Sequence, residues 1–413
     1  MSESRLKVRL TRAAETAVKK GHPWVFADRI REQNRAGTLG EWAVVYDAQD
    51  RFLGMGLCDP HSVIGLRMLH VGKPVPMDAA WWRNRLESAL AKRHGLFSPE
   101  RTNGFRWING ESDGWPGLVL DRYADVLVMK LYTGIWLPRL EEVADLVCEA
   151  LQPGSLVVRL SRNLEQRAAQ QFGIRDGVRR GEPVERVVFL ENGLQFEADV
   201  LRGQKTGFFL DQRENRQRVE GLAAGRTVLN AFSFSGGFSL YAARGGARSV
   251  TDLDLSAHAL ECARRNFLLN RGDARVAAVE HECIAADAFA WMDAGPRRQF
   301  DLIVCDPPSL AKREQERQGA IDAYHRLHFH ALQRLRRGGV LVAASCSAHV
   351  SREEFLDAAR RAAARTGRKV FELWTSANAP DHPAAFPEMQ YLKCLALALD
   401  EPAASAAPRT ESD

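Results

Sequence analysis

Two residues carry the clearest chemical signal in this sequence. Cys346 lies in VLVAASCSAHV and Asp306 in IVCDPPS, each directly after a hydrophobic run. A cysteine flanked by Ser345 and Ser347 at the carboxyl end of a strand is placed as a nucleophile rather than as core filler. Cysteines are often simply buried, and the other six (Cys58, Cys148, Cys262, Cys283, Cys305 and Cys394) lack that placement. Strand alternation directs Cys305 into the sheet. Pro307 and Pro308 keep the chain extended after Asp306, which would hold its carboxylate at the sheet edge where substrates bind. If the two runs are neighbouring strands, thiol and carboxylate face one pocket.

A second constellation lies upstream, in VLNAFSFSGGFSLYAARGGARSVTDLDLS. It reads as strand, glycine loop, helix and strand. Gly236 and Gly237 let the backbone approach a ligand closely, and a helix start offers free N–H groups. Asp254 closes the second strand roughly 20 residues on, where such folds grip a ribose diol. The GxGxxG of nicotinamide sites is missing, and a pyrophosphate has no obvious seat. S-adenosylmethionine (SAM) has no phosphate and fits better, so an NAD oxidoreductase is disfavoured. Asp287, in CIAADAFAWM, is placed to meet the adenine amine.

A thiolate beside SAM is what methylation of a pyrimidine at C5 requires. That carbon is not nucleophilic. Attack of the thiolate on C6 makes C5 enamine-like, able to take a methyl group. Asp306 could stabilise N3 or the amine as charge develops. A base must then remove the C5 proton, with His349 and water as candidates. The run LRGQKTGFFLDQRENRQRV, 201–219, crowds Lys205, Thr206, Gln212, Arg213 and Asn215 around Phe208 and Phe209. These could line the methionine end of SAM or stack a base. An exposed basic helix would account for Arg216 and Arg218 but not for QKTGFFLDQ.

The elements that must position these groups fall into three regions and a tail. To about Val75, short β-like runs (LKVRL, EWAVVYDA, RFLGMGLCD, SVIGLRML) are bounded by Gly, Pro and Asp. KPVPMD reads as a linker. AAWWRNRLESALAKRHGL then looks helical, with Trp82, Leu86, Ala89 and Leu90 on one face. Strands and a helix at 135–151 complete an α+β region. From about Phe196, the strands RTVLNAF, SVTDLD, RVAAVE, FDLIVCD, GVLVAASC, KVFELW and YLKCLALAL appear, with helices between the first five. That alternation argues a parallel, doubly wound sheet. In SAHALECARRNFLLN, Ser256 can cap the helix, and Leu260, Ala263, Phe267 and Leu268 form its apolar face. EPAASAAPRTESD is small, polar and expected to be disordered.

Composition sets the outer bounds. At roughly 100–200 residues per domain, 413 residues make two or three domains. A hydrophobic share of 45% and a charged share of 26% are those of a globular chain. No apolar run approaches the ~18 residues of a membrane helix, and MSESRLKVRLTR has no apolar signal core. Seven scattered cysteines without a CxxC pair argue against a disulfide framework or a zinc site, so a cytoplasmic protein without a metal is expected. The net charge of +5 permits a polyanionic partner. Basic residues gather at 5–35 and again at 159–180, where Arg159, Arg162, Arg167, Arg175, Arg179 and Arg180 offer a second candidate surface.

Taken together, GQKTGFFLDQREN, the GGF loop, DPPS, SCS and the late DHP…PE…YLK resemble the RlmI-like family of bacterial large-subunit (23S) ribosomal RNA cytosine-5 methyltransferases, over nearly the whole chain. GHPWVF, 21–26, matches the motif of that family's PUA domain, and NGESDGWPGLVLDRY is similar to its central signature. The loop departs from the family's F-x-Y-T-G-G-F at Phe234 and Ser235.

The resemblance implies a multi-domain chain: a small β-rich PUA-like domain at 1–75, an α+β domain at 76–192, and a class I SAM methyltransferase domain at 193–399. The last would be Rossmann-like with a mostly parallel seven-stranded sheet, followed by a tail at 400–413. It implies Cys346 as nucleophile and Asp306 near the target base. SAM would lie against Phe232, Ser235, Gly236, Gly237, Asp254, Leu255, Asp287, Ala288 and Asp306, bordered by Lys205, Thr206, Phe209 and Gln212. Ribosomal RNA is the implied partner, with Arg5, Lys7, Lys19, Lys20, Trp24 and Arg162 as candidate contacts. A homodimer is left open. Competing readings are a methyltransferase acting on guanine N7 or uracil C5, and a non-catalytic RNA-binding assembly factor. Guanine N7 is already nucleophilic and would not need Cys346. A binding module would need neither the acids nor the thiol.

Overall fold

The computed structural model describes residues 5–399, so the expected tail at 400–413 lies outside the described residues. The chain divides into two compact units, neither of them contiguous. The first gathers 5–194, Ala198–Leu210 and Pro380–Pro387; the second gathers Gln195–Glu197, Asp211–Ala379 and 388–399.

The first unit opens on a six-stranded sheet. Its strands are β1 (Leu6–Leu10), β2 (Trp24–Val25), β3 (Ile30–Gln33), β4 (Trp42–Tyr46), β5 (Phe52–Cys58) and β6 (Leu66–Val71), ordered β2-β6-β5-β4-β1-β3. Period-2 alternation buries Leu6, Val8 and Leu10 and turns Lys7 outward. Helix α1 (Arg12–Lys19) starts at Thr11, whose hydroxyl accepts from Ala14 N.

A five-stranded sheet follows in the same unit: β7 (Gly104–Asn109), β8 (Leu118–Tyr123), β9 (Val126–Leu131), β10 (Ser155–Leu160) and β11 (Gly177–Gly181), ordered β11-β10-β9-β8-β7. Helices α2 (Ala79–Ala91), α3 (Leu140–Leu151) and α4 (Arg162–Phe172) accompany it. The expected face of α2 is buried at Leu86, Ala89 and Leu90, and its core includes the buried rings of Trp115 and Trp136. The NGESDGWPGLVLDRY signature supplies this unit's polar framework. Arg93 makes a bidentate pair with Asp113 at 2.8 Å, and Arg106 pairs with Asp121 at 2.7 and 2.9 Å, all four buried. Asp381 joins them: its Oδ2 accepts from Arg106 N and its carbonyl from Arg93. Two buried guanidinium groups are tolerated because each meets a fully paired carboxylate.

After β12 (Arg186–Glu191), β13 (Leu194–Asp199) and α5 (Arg213–Leu222), the second unit is a seven-stranded sheet. Its strands are β14 (Thr227–Ala231), β15 (Ser249–Asp254), β16 (Glu280–Ala285), β17 (Phe300–Cys305), β18 (Leu335–Ser345), β19 (Val370–Ser376) and β20 (Lys393–Leu399). They lie in the order β16-β15-β14-β17-β18-β20-β19. The first five are parallel; β20 runs antiparallel to both of its neighbours. This is the mostly parallel Rossmann-like sheet the strand–helix alternation predicts. Helices α6 (Gly237–Arg244), α7 (Ala257–Leu269), α8 (Ala274–Ala278), α9 (Ala288–Ala294), α10 (Arg317–Gln333) and α11 (Arg352–Thr366) connect the strands.

Two local expectations fail here. RVAAVE is not the third strand. Asp273 accepts from Arg275 N and Val276 N, capping ARVAA into α8, and the strand is EHECIA. Leu268 is exposed, whereas Leu260, Ala263 and Phe267 are buried as expected. Ser256 does cap α7, accepting from Ala259 N. Among the described residues, no helix is long and apolar enough to cross a membrane.

Candidate functional site

At the carboxyl edge of β14 the chain makes a tight loop into α6. Phe232, Phe234 and Gly236 all have left-handed backbones, with φ of 61°, 49° and 73°. Such conformations are costly for a phenylalanine and gather at sites where a loop must be held in shape. A Cβ on Gly236 would lie 2.8 Å from the Ala263 side chain, so only glycine fits. Asp254 fastens the loop: its Oδ2 accepts from Phe234 N and its Oδ1 from Ser256 N, both at 2.8 Å. Asn266 donates to Ser235 O at 2.9 Å.

The hydroxyls of Ser233 and Ser235 are buried in this loop without a hydrogen-bond partner. A buried hydroxyl left unpaired is costly. A polar ligand in the loop would remove that cost, so the residues present fit SAM. Leu255, next to Asp254, leaves 74% of its surface exposed at the same edge, an apolar face suited to a purine. Asp287 is exposed and caps α9 through Oδ1, accepting from Ala290 N at 2.8 Å; Ala288 behind it is buried. Phe232 packs edge-on against Phe289, with ring centroids 5.4 Å apart.

Asp306 and Cys346 come from neighbouring strands. The register pairs Cys305 with Ala343 across β17 and β18, so both chains leave the sheet side by side. Asp306 Oδ2 accepts from Gln212 Nε2 at 2.9 Å; Gln212 Oε1 accepts from Asn215 Nδ2 at 2.6 Å; Asn215 Oδ1 accepts from Ser376 Oγ. This relay fixes the carboxylate and explains why Gln212 and Asn215 are buried in a polar run. Cys346 is partly exposed, whereas Cys58, Cys305 and Cys394 are buried. Burial pushes the thiols of Cys305 and Cys394 well above the usual range, so they are inert.

Ser347 stitches the two loops together. Its hydroxyl accepts from Leu310 N at 3.0 Å and Ala311 N at 3.3 Å, just past the Asp-Pro-Pro turn. Tyr324 of α10 lies 2.8 Å from both Ser345 Oγ and Ser347 Oγ. Burial pushes its phenol up to about 12, so it stays a neutral linker between the two serines. Lys393 Nζ donates to the carbonyls of Ser347 and Val350. Burial lowers its pKa to about 8, opposed by the charges of Cys346 and Glu354. Sequence reasoning missed Tyr324 and Lys393. Lys393 had a signal in the YLK motif; Tyr324, in the middle of a helix, had none. His349 is exposed, with Nδ1 3.3 Å from Glu314 Oε2.

Lys205, Thr206 and Phe209 belong to the first unit. Thr206 is buried there and donates to Asp121 Oδ2 at 2.6 Å; its hydroxyl also lies 2.9 Å from that of Tyr123. Lys205 Nζ sits 4.6 Å from the centre of the Phe209 ring. Arg213 and Arg216 are buried, so α5 is not an exposed basic helix.

Of the candidate RNA contacts, Arg5, Lys7, Lys20 and Arg162 are exposed. Lys19 pairs with Glu15 at 2.5 Å. Trp24 is half-buried: its Nε1 donates to Glu111 at 2.7 Å and its ring packs edge-on against Phe386. The basic stretch at 159–180 is less free than its charge suggests. Arg159 is buried on Asp176, Arg179 pairs with Glu141, and Arg180 pairs with Glu141 and Asp145.

Residues 164–396 match the family described as S-adenosylmethionine-dependent methyltransferase, and residues 8–70 match a PUA-like domain. A ribosomal RNA large subunit methyltransferase of Deinococcus radiodurans is 56% identical over 407 residues, spanning 97% of this chain and 98% of the relative. A ribosomal RNA large subunit methyltransferase I of Alteromonas mediterranea is 33% identical over 393 residues, spanning 94% and 98%. Among solved structures, a SAM-dependent methyltransferase from Streptococcus mutans superposes with a TM-score of 0.80 at 22% identity, over 95% of this chain and 99% of that one. A methyltransferase complexed with SAH gives 0.81 with the same identity and coverage. These two likenesses bear on the fold.

Proposed function

The chain belongs to the S-adenosylmethionine-dependent methyltransferase family, and on that premise we propose that it methylates C5 of a cytosine in large-subunit ribosomal RNA through a covalent adduct on Cys346. The observation that carries the reading is the Ser347 hydroxyl, which accepts from the N–H groups of Leu310 and Ala311 and so joins the Asp306 loop to the Cys346 loop. A methyltransferase acting on an already nucleophilic atom has no use for a partly exposed thiol on a loop tied to the loop that carries Asp306.

Bound SAM supplies an electrophilic methyl group. The Cys346 thiol would give up its proton to solvent and its sulfur would bond to C6, moving the C5–C6 electron pair onto C5. Asp306, held by Gln212, would accept a hydrogen bond from the cytosine amine as charge builds on the ring. Cys346 and Asp306 would hold the activated C5 toward the cofactor, so that the methyl group could pass to C5 and leave S-adenosylhomocysteine. Loss of the C5 proton to water or a nearby base then restores the double bond and expels the thiolate. The Ser233 and Ser235 hydroxyls, Asp254, Leu255 and Asp287 orient the cofactor at the carboxyl edge of β14 and β15.

We assign RNA capture to 1–75, a connecting α+β domain to 76–192 and catalysis to 193–399. Gln212, which holds Asp306, stays as a residue bordering the cofactor. Ribosomal RNA is made and modified in the bacterial cytoplasm, which is where we place the protein. Mass-spectrometric mapping of ribosomal RNA from a strain lacking the gene tests the reading. One cytosine of the large-subunit RNA should lose a methyl group. An unchanged methylation map, or loss from guanine or uracil, would overturn it.

A further inference from the structure

We propose that Asp252, His281 and Cys283 form a binding site for one divalent metal ion of the zinc class. The site lies outside the groups assigned to methyl transfer and does not depend on them. The parallel register of β15 and β16 pairs Asp252 with Cys283 and Val250 with His281. Side chains two apart on a strand share a face, so His281, Cys283 and Asp252 project together. His281 Nε2 lies 2.8 Å from Asp252 Oδ2 and 3.6 Å from Cys283 Sγ. The carboxylate oxygen, imidazole nitrogen and sulfur all fall within 4.8 Å of one another.

Those separations suit a tetrahedral ion. Zinc–ligand bonds of about 2.0–2.3 Å put neighbouring ligand atoms roughly 3–4 Å apart. The three atoms therefore reach an ion by small side-chain shifts. The donor set is one oxygen, one nitrogen and one sulfur. Calcium and magnesium take oxygen ligands, whereas a thiolate with an imidazole selects zinc and its neighbours. Three protein ligands leave a fourth position for water.

The surroundings hold the ligands in place, as metal sites require. Asp252 is buried, and its other oxygen accepts from Ser239 Oγ at 2.5 Å and Asn230 Nδ2 at 3.0 Å, which turns Oδ2 toward His281. The His281 ring stacks on Phe267 with centroids 3.7 Å apart and planes 17° apart. His281 and Cys283 are partly exposed, which gives an ion a way in. Entry of the ion displaces the proton between His281 and Asp252 and the proton of the thiol, so up to two protons leave per ion. The bound ion would cross-link β16, an edge strand, to β15. The sequence spacing of the cysteines pointed away from zinc, because these ligands meet only across the strand register.

The test is titration of Co²⁺ into the full chain after chelator treatment. One equivalent should produce a thiolate-to-cobalt charge-transfer band, and Zn²⁺ should displace it. Calorimetry in two buffers of different ionisation enthalpy should read proton release. Cys283→Ser and His281→Gln should each abolish the band, whereas Cys346→Ser should keep it. The wild-type titration stands by itself if either variant fails to fold. A wild-type protein without a saturable band, or a folded Cys283→Ser protein that retains it, would overturn the site.

Discussion

Lys393 Nζ lies 2.6 Å from the carbonyl oxygen of Ser347 and 2.8 Å from that of Val350, so a buried ammonium pins both sides of the turn that follows Cys346. The nucleophile is partly exposed, but the backbone behind it is anchored from the core. Because the pin is charged, it gives the turn a pH dependence.

The first prediction concerns that pin. Lys393 has its pKa lowered by burial, from 10.5 to about 8. Between those values the folded chain binds fewer protons than the unfolded chain, so this group makes stability rise as pH increases from about 8 to 10.5 and adds no slope below. Urea unfolding of Lys393→Met should lack that rise. Turnover should fall about tenfold or more, since hydrogen bonds from a charged group contribute about 1.5–3 kcal/mol each, while SAM affinity stays near wild type. A Lys393→Met enzyme with full turnover would show that the turn holds itself.

Replacing the nucleophile separates chemistry from binding. Cys346→Ala should have no measurable methyl transfer and form no protein–RNA adduct with RNA carrying 5-fluorocytidine. SAM binding by calorimetry should be unchanged. Turnover retained in this variant would rule out the covalent route.

Tyr324→Phe removes a hydroxyl that bridges Ser345 and Ser347. Two buried serines lose a shared partner, at a cost of about 1–3 kcal/mol by chemical denaturation. Adduct formation should slow while SAM affinity holds. Equal stability in the two proteins would mean that the serines find each other without the ring.

Asp254→Ala should weaken SAM binding about 10- to 100-fold, on the order of one charge-assisted hydrogen bond. Part of that loss comes through the loop, because Asp254 also accepts from Phe234 N. Asp254→Asn keeps an acceptor and should recover part of the affinity. Identical calorimetric affinities for Ala and wild type would remove Asp254 from the cofactor site.

Much of this was legible in residue order. Strand–helix alternation after Phe196 led to the parallel sheet, and hydrophobic runs ending in Asp254, Asp306 and Cys346 placed three groups at carboxyl edges. Local chemistry was readable where one residue decides, as at Ser256. It failed at RVAAVE, where apolar content suggested a strand but a capping aspartate just upstream made a helix. The rest depended on register and distance. Gln212 reaches Asp306 across 94 residues. His281, Cys283 and Asp252 look ordinary in sequence and converge because β15 and β16 align. At 159–180 residue order did not show that Arg159 is buried on Asp176 or that Arg179 and Arg180 pair with acids from α3, whereas Arg162 is exposed.

The first unit contains Pro380–Pro387, and Asp381 accepts from Arg106 N across 275 residues. A nascent chain therefore leaves this unit unfinished until the codons for 380–387 are read. Until then Arg106 N and Arg93 lack their late partner, and an ordering penalty for a very long loop is still to be met. Fragments ending near residue 194 should aggregate or breathe, and adding the 380–387 peptide in trans should quiet them. A stop codon anywhere before 381 disables both units at once, so an incompletely translated copy should not persist as an RNA-binding competitor.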